Sequence, residues 1–203
     1  MISKFQIYDY WKDKAITKNF DVKCTCDCSD ADEAISITEF DDEIFCWACG
    51  MLPYRTSDSE KLSTYWNQDR LLEKAHILAR SKGGDDIPAN LFLLCPSCHA
   101  ESPDTTNPKN FFAWVYYKRK HENCWQTIPR ELERAAMMKG ISVEEIQSRI
   151  SALDLDIKKI ELLRKKLQER CALHGSSISM SSKMMSMIDI LMEDSDLVAG
   201  APD

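Results

Sequence analysis

The sequence predicts an α+β chain: a small cysteine-stapled core between an N-terminal extension and a C-terminal helical region. Three observations carry that expectation. Two Cys-x-x-Cys pairs, "CWAC" at Cys46 and Cys49 and "CPSC" at Cys95 and Cys98, each have the spacing of half a tetrahedral metal site. Between them, two short apolar runs, "RLLEKAHIL" and "LFLL", flank the turn-rich stretch "RSKGGDDIPAN". From Ser142 onward, apolar residues recur at alternating spacings of four and three, which is helical.

The chain has 203 residues, room for one domain with a sizeable core or one domain plus an accessory element. Its 44% hydrophobic and 29% charged content is that of an ordinary water-exposed fold. The start, "MISKFQIYDYWKDK", has no apolar h-region, and no apolar run approaches membrane length. No membrane association is therefore expected, and the expected location is cytoplasmic. In that reducing compartment nine cysteines, an odd number, favour metal ligation over a disulfide framework. The net charge of −7 warns against reading the whole surface as a polyanion binder. The middle third, which holds the second cysteine pair, is the only net-positive third.

Each element follows from local sequence. Residues 1–43 form the N-terminal extension, an aromatic entry ("FQIYDYW") followed by an acidic run, read as short strands or a short helix. The core spans residues 44–125. It opens on "FCWACGMLPYR", a zinc knuckle in which Gly50 supplies backbone freedom. "RLLEKAHIL" and "LFLL" read as strands, the second running into the second knuckle. Asn107 and Pro108 form an N-cap and N1 pair that starts a helix, with Phe111, Phe112, Trp114 and Val115 as core positions.

Residues 126–174 form the helical region. Within it Ser142, with Glu145 three residues on, caps an amphipathic helix of about eight turns reaching Cys171. Its stripe (Ile146, Ile150, Leu153, Ile157, Ile160, Leu167) suits a seam against a second copy or a partner protein. The alternative is that the stripe packs on the core. Residues 175–203, rich in serine and methionine, read as a flexible tail with one short apolar segment.

Cys46, Cys49, Cys95 and Cys98 together give four thiolates, a closed site expected to hold a structural Zn2+ with no open position for chemistry. Cys24, Cys26 and Cys28 ("CTCDC") would share a strand face. They are either the start of a second site with Cys124 or His121, or surface and half-buried cysteines.

The stretch "LEKAHILARSKGGDDIPANLFLLCPSCH" resembles the HNH endonuclease family, whose ββα-metal motif runs strand, loop, strand, helix. The family's pattern falls on His76, Asn90 and His99 in order, framed by the two cysteine pairs, and the resemblance covers roughly residues 44–118. It implies His76 as general base and His99 as ligand of a catalytic divalent metal (Mg2+, Mn2+ or another). Asn90 then either braces the loop or helps to hold the metal. Phosphodiester hydrolysis needs such a base for water and a cation against developing charge. One departure stands out. Where many members carry a metal-binding residue immediately before the base, this chain has Ala75. Glu73, two residues earlier on the same strand face, is the candidate replacement.

The expectation is a metal-dependent endonuclease hydrolysing DNA phosphodiester bonds, with restriction and anti-phage defence as the settings the resemblance suggests. Lys74, Arg80, Lys82, Lys118, Arg119 and Lys120 are candidate phosphate contacts. The rival expectation, resting on Ala75, is a zinc-containing nucleic-acid-binding module without catalysis, or a nuclease-like subunit of a larger complex.

Overall fold

A computed structural model describes residues 1–38, 44–51, 61–68, 72–153, 157–171 and 178–193. The chain divides into two units, Met1–Cys124 and Trp125–Asp203.

In the first unit, helix α1 (Lys4–Trp11) starts in a full capping box: Gln6 N–H donates to the Ser3 hydroxyl, and the Gln6 side chain accepts from the Ser3 amide. Strand β1 (Lys14–Ile16) is the centre of a three-stranded antiparallel sheet, with β2 (Val22–Cys24) on one side and β3 (Ile35–Ser36) on the other. After α2 (Leu62–Gln68) come β4 (Glu73–His76) and β5 (Leu91–Leu94), an antiparallel pair registered Glu73 to Leu94 and His76 to Leu91. Helix α3 (Pro96–Glu101) follows β5 directly, and α4 (Pro108–His121) completes the unit. Asn107 caps α4 by accepting from Lys109 N–H, and Pro108 stands at its start, as predicted.

One aromatic core joins these elements. Trp47, Trp66, Phe45, Phe92 and Phe111 are fully buried, and Phe92 packs edge-to-face on Trp11, Trp47 and Phe111. The first 43 residues, predicted as an extension, contribute Ile7, Tyr8, Trp11 and Ile16 to that same core. Strand alternation was too weak there to reveal it, because the burying element is a helix of only eight residues. The expected boundary near residue 43 lies outside the described residues.

The second unit differs from expectation in two ways. The single long helix is two helices, α6 (Val143–Ala152) and α7 (Ile157–Arg170), and Leu153 between them is extended. The Ser142 cap is present, its hydroxyl accepting from Glu145 N–H at 3.1 Å. The stretch predicted as a flexible tail contains α8 (Met180–Glu193), which buries Met184, Ile188, Ile190 and Leu191. They cluster with Ile146 and Leu153, and with Ile150, Leu163 and Leu167 at the edge. Arg149 donates to the Leu191 carbonyl at 3.1 Å, and Lys139 pairs with Asp189. Of the predicted stripe, Ile146, Ile150, Leu153 and Leu167 thus pack within their own unit, in the cluster that includes the α8 residues. Helix α5 (Cys124–Lys139) adds Ala135 and Ala136 to this core.

Candidate active site and metal centre

Two tight turns bring the cysteine pairs together. After Cys46 and Cys49 the chain turns at Gly50, whose φ of 73° belongs to the left-handed region. Gly50 N–H donates to the Cys46 carbonyl at 2.8 Å. Trp47 N–H donates to the Leu93 carbonyl at 3.0 Å, fastening this turn to β5. At the end of β5, Cys95 N–H donates to Cys46 Sγ at 3.2 Å, and Cys98 N–H to Cys95 Sγ at 3.5 Å.

The four sulfurs all lie within 4.8 Å of one another, and those of Cys49 and Cys95 are 3.9 Å apart. A tetrahedron of Zn–S bonds near 2.3 Å has sulfurs about 3.8 Å apart, so the geometry fits one zinc ion. Burial, then hydrogen bonds with its sister cysteines, push the Cys46 thiol well up. Hydrogen bonds from Cys46, Cys49 and Cys98 hold Cys95 far below an ordinary thiol.

The four-cysteine cluster includes Cys95, which caps α3, and Cys98 within α3, and α3 carries His99 next to Cys98. His99 Nδ1 lies 2.6 Å from Glu73 Oε2 on β4, with both side chains 38% exposed. Ala75, the position that departs from the family pattern, is completely buried. Alternation along β4 puts Glu73 on its face, and the longer glutamate reaches the more accessible ground where His99 stands. An imidazole nitrogen beside a carboxylate oxygen is a donor set that suits Mn2+, Mg2+ or Zn2+. Cis ligands of such an ion stand about 3 Å apart, a small widening from the observed contact.

His76, at the end of β4, is bonded through Nε2 to Asp86 Oδ1 at 2.7 Å. That bond holds the Asp86 carboxyl below the usual range. An ionised carboxylate only accepts, so the Nε2 proton stays on the ring and Nδ1 is the basic nitrogen of the neutral form. His76, Asp86, Lys74, Leu91, Met1 and Ile2 line a cleft of about 350 Å³. Asp86 was missed from the sequence, where it is one acid in a polar loop. Its pairing exists only because the loop folds back.

Asn90 makes that fold-back. Its Oδ1 accepts from Leu78 N–H at 2.8 Å, while Nδ2 donates to the carbonyls of Leu78 at 3.1 Å and Asp85 at 3.0 Å. With the amide engaged at both ends, the side chain is a brace between strand end and loop. Gly84 fits beneath it, since a Cβ there would stand 1.8 Å from the Leu78 carbonyl oxygen. From the other side, the Trp11 indole donates to the Pro88 and Leu91 carbonyls at 3.0 and 2.8 Å.

The candidate phosphate contacts separate into two groups. Lys74 donates to the Ile2 carbonyl. Lys118 pairs with Glu101 and Glu122; although burial works against its charge, these carboxylates hold it above its ordinary value. Arg119 donates to the carbonyls of Trp47 and Ser36 and lies over the Phe45 ring. These three serve the fold. Arg80, Lys82 and Lys120 are exposed, Arg80 with Asp86 3.8 Å away. Of the two readings of the CTCDC stretch, the structure shows surface and half-buried cysteines, Cys26 exposed and Cys24 and Cys28 half-buried. β2 ends at Cys24, so the three cysteines do not share a strand face, and Cys124 N–H instead donates to the Cys49 carbonyl at 2.7 Å. The His121 ring faces Tyr117.

Among the described residues no helix is long and apolar enough to cross a membrane. No curated protein and no solved structure matches the chain. Residues 62–103, from the start of α2 through α3, match the family model described as HNH endonuclease. Those residues, about a fifth of the chain, are thus similar to an HNH endonuclease domain.

Proposed function

We propose that this protein is a metal-dependent endonuclease that hydrolyses DNA phosphodiester bonds, with β4, β5 and α3 as its ββα-metal core. The observation that carries the reading is the pair of contacts made from one strand: Glu73 with His99, and His76 with Asp86. Glu73 and His99 are the residues that would hold a divalent cation. Bound there, the cation supplies positive charge against the phosphorane and the leaving oxygen.

His76 takes the proton of the attacking water at Nδ1, while Asp86 fixes the ring through Nε2 and stabilises the imidazolium that results. Asn90 holds the loop that carries Asp86. Arg80 and Lys82 are exposed cations that can meet backbone phosphates. Cleavage of supercoiled plasmid with added Mg2+ or Mn2+, against a chelator control, tests the reading. A folded, zinc-loaded chain that binds DNA but leaves it uncut with every divalent metal would favour the rival reading. That rival, a module without catalysis, rests on Ala75. Restriction or anti-phage defence is the setting implied by the resemblance, tested by phage plating on cells expressing wild type or His76→Ala.

A further inference from the structure

The turn after β2 carries chemistry that hydrolysis at His76 does not use. A short 3-10 turn, Thr25–Asp27, follows Cys24 and brings the sulfurs of Cys24 and Cys26 and a carboxylate oxygen of Asp27 within 4.8 Å of one another. Hydrogen bonds outside these three side chains fix the turn. Cys24 is registered with Lys14 across the sheet, Thr25 N–H donates to the Asp13 carbonyl at 2.9 Å, and Cys28 N–H donates to the Thr25 carbonyl at 3.3 Å. A third sulfur belongs to the same turn, since Cys28 Sγ contacts the Cys24 carbonyl at 3.3 Å.

The neighbouring acids are committed elsewhere, Asp21 to Lys109 at 2.6 Å and Asp32 to Lys23 at 2.8 Å. Among the described residues Asp27 has no ion-pair partner. Cys26 is exposed and Cys24 and Cys28 are half-buried, so the group is open to solvent on one side.

We infer that Cys24, Cys26 and Asp27 form a second metal site, for a thiophilic divalent cation of the zinc class, with Cys28 or water completing the tetrahedron. Two sulfurs disfavour the hard ions Mg2+ and Ca2+, and one carboxylate beside them suits borderline Zn2+. Sulfurs on zinc stand about 3.8 Å apart, so side-chain movement of no more than about 1 Å brings these three ligands to zinc spacing. Binding releases one proton to solvent per coordinated thiol and changes no oxidation state. Unlike the buried four-sulfur site, this one is at the surface and its ligands are contiguous in sequence. Its loss should therefore leave the first unit folded.

Cobalt titration of the full chain under reductant tests the inference, because sulfur-to-cobalt charge transfer reports thiolate sites and is silent for ions held by Glu73 and His99. Wild type should saturate at about one equivalent more than Cys24→Ser/Cys26→Ser. Asp27→Asn should weaken only the later phase. Circular dichroism checks the fold; should the double variant misfold, the exposed Cys26→Ser alone must show the weakened later phase. Superimposable titrations of wild type and Cys26→Ser would overturn the site, as would a Cys24–Cys26 disulfide in chain kept under reductant.

Discussion

Glu73 meets His99 because strand alternation and the short α3 aim two side chains at the same half-exposed ground. His76, Asn90 and His99 are named in the sequence by the resemblance to the HNH pattern. Glu73 is legible too, through strand periodicity next to Ala75. Asp86 is not: its partner is ten residues away, and only the folded loop joins them. If Glu73 holds the cation, Glu73→Ala should raise the Mn2+ concentration needed for half-maximal cleavage by about tenfold or more. An unchanged metal requirement would remove it from the site. Asp86→Asn should lower kcat with DNA affinity retained. The Asp86 carboxyl is held below its ordinary value of about 3.9, so its contribution is fully present above that pH and fades only as pH falls through the depressed value. Between pH 5 and 9, roughly, the pH–rate profile should therefore show no limb from Asp86 itself.

The loop between β4 and β5 has little regular structure and is held chiefly by the Asn90 amide, the Trp11 indole and the close approach that Gly84 permits. Asn90→Ala removes three hydrogen bonds and leaves the Leu78 amide without its partner, which should cost about 1–3 kcal/mol and most of the activity. Gly84→Ala forces the Leu78 carbonyl aside and should cost at least about 1–3 kcal/mol. Thermal unfolding of both variants checks the pair; a fully stable Gly84→Ala would mean that the loop packs differently. The helices show the complementary limit of sequence reading. The Asn107 and Ser142 caps are local signals, and both are where the sequence predicts them. The break after Ala152 has no glycine or proline to mark it. The methionines of α8 look like solvated tail until Ile146 and Leu153 are seen packed against them.

At the scale of the whole molecule, the two units have separate cores, one aromatic and containing the four-cysteine cluster, the other aliphatic and methionine-rich. Removing zinc should therefore unfold the first and spare the second. Calorimetry after chelation should lose one transition and keep another, whereas a single transition abolished entirely would join the units. The zinc spacing was readable because a metal imposes its own geometry on sequence. The contribution of α1 to the core was not, because Trp11 acts over 77 to 80 residues of separation. In the proposed function, the four-cysteine site orients α3 so that a base and a metal site meet DNA. The most direct test of that function is the rate of supercoiled plasmid cleavage by His76→Ala, with zinc content and fold verified equal to wild type. The account predicts a fall of about 10²–10⁴-fold with plasmid binding retained. Cleavage by His76→Ala at the wild-type rate would contradict it.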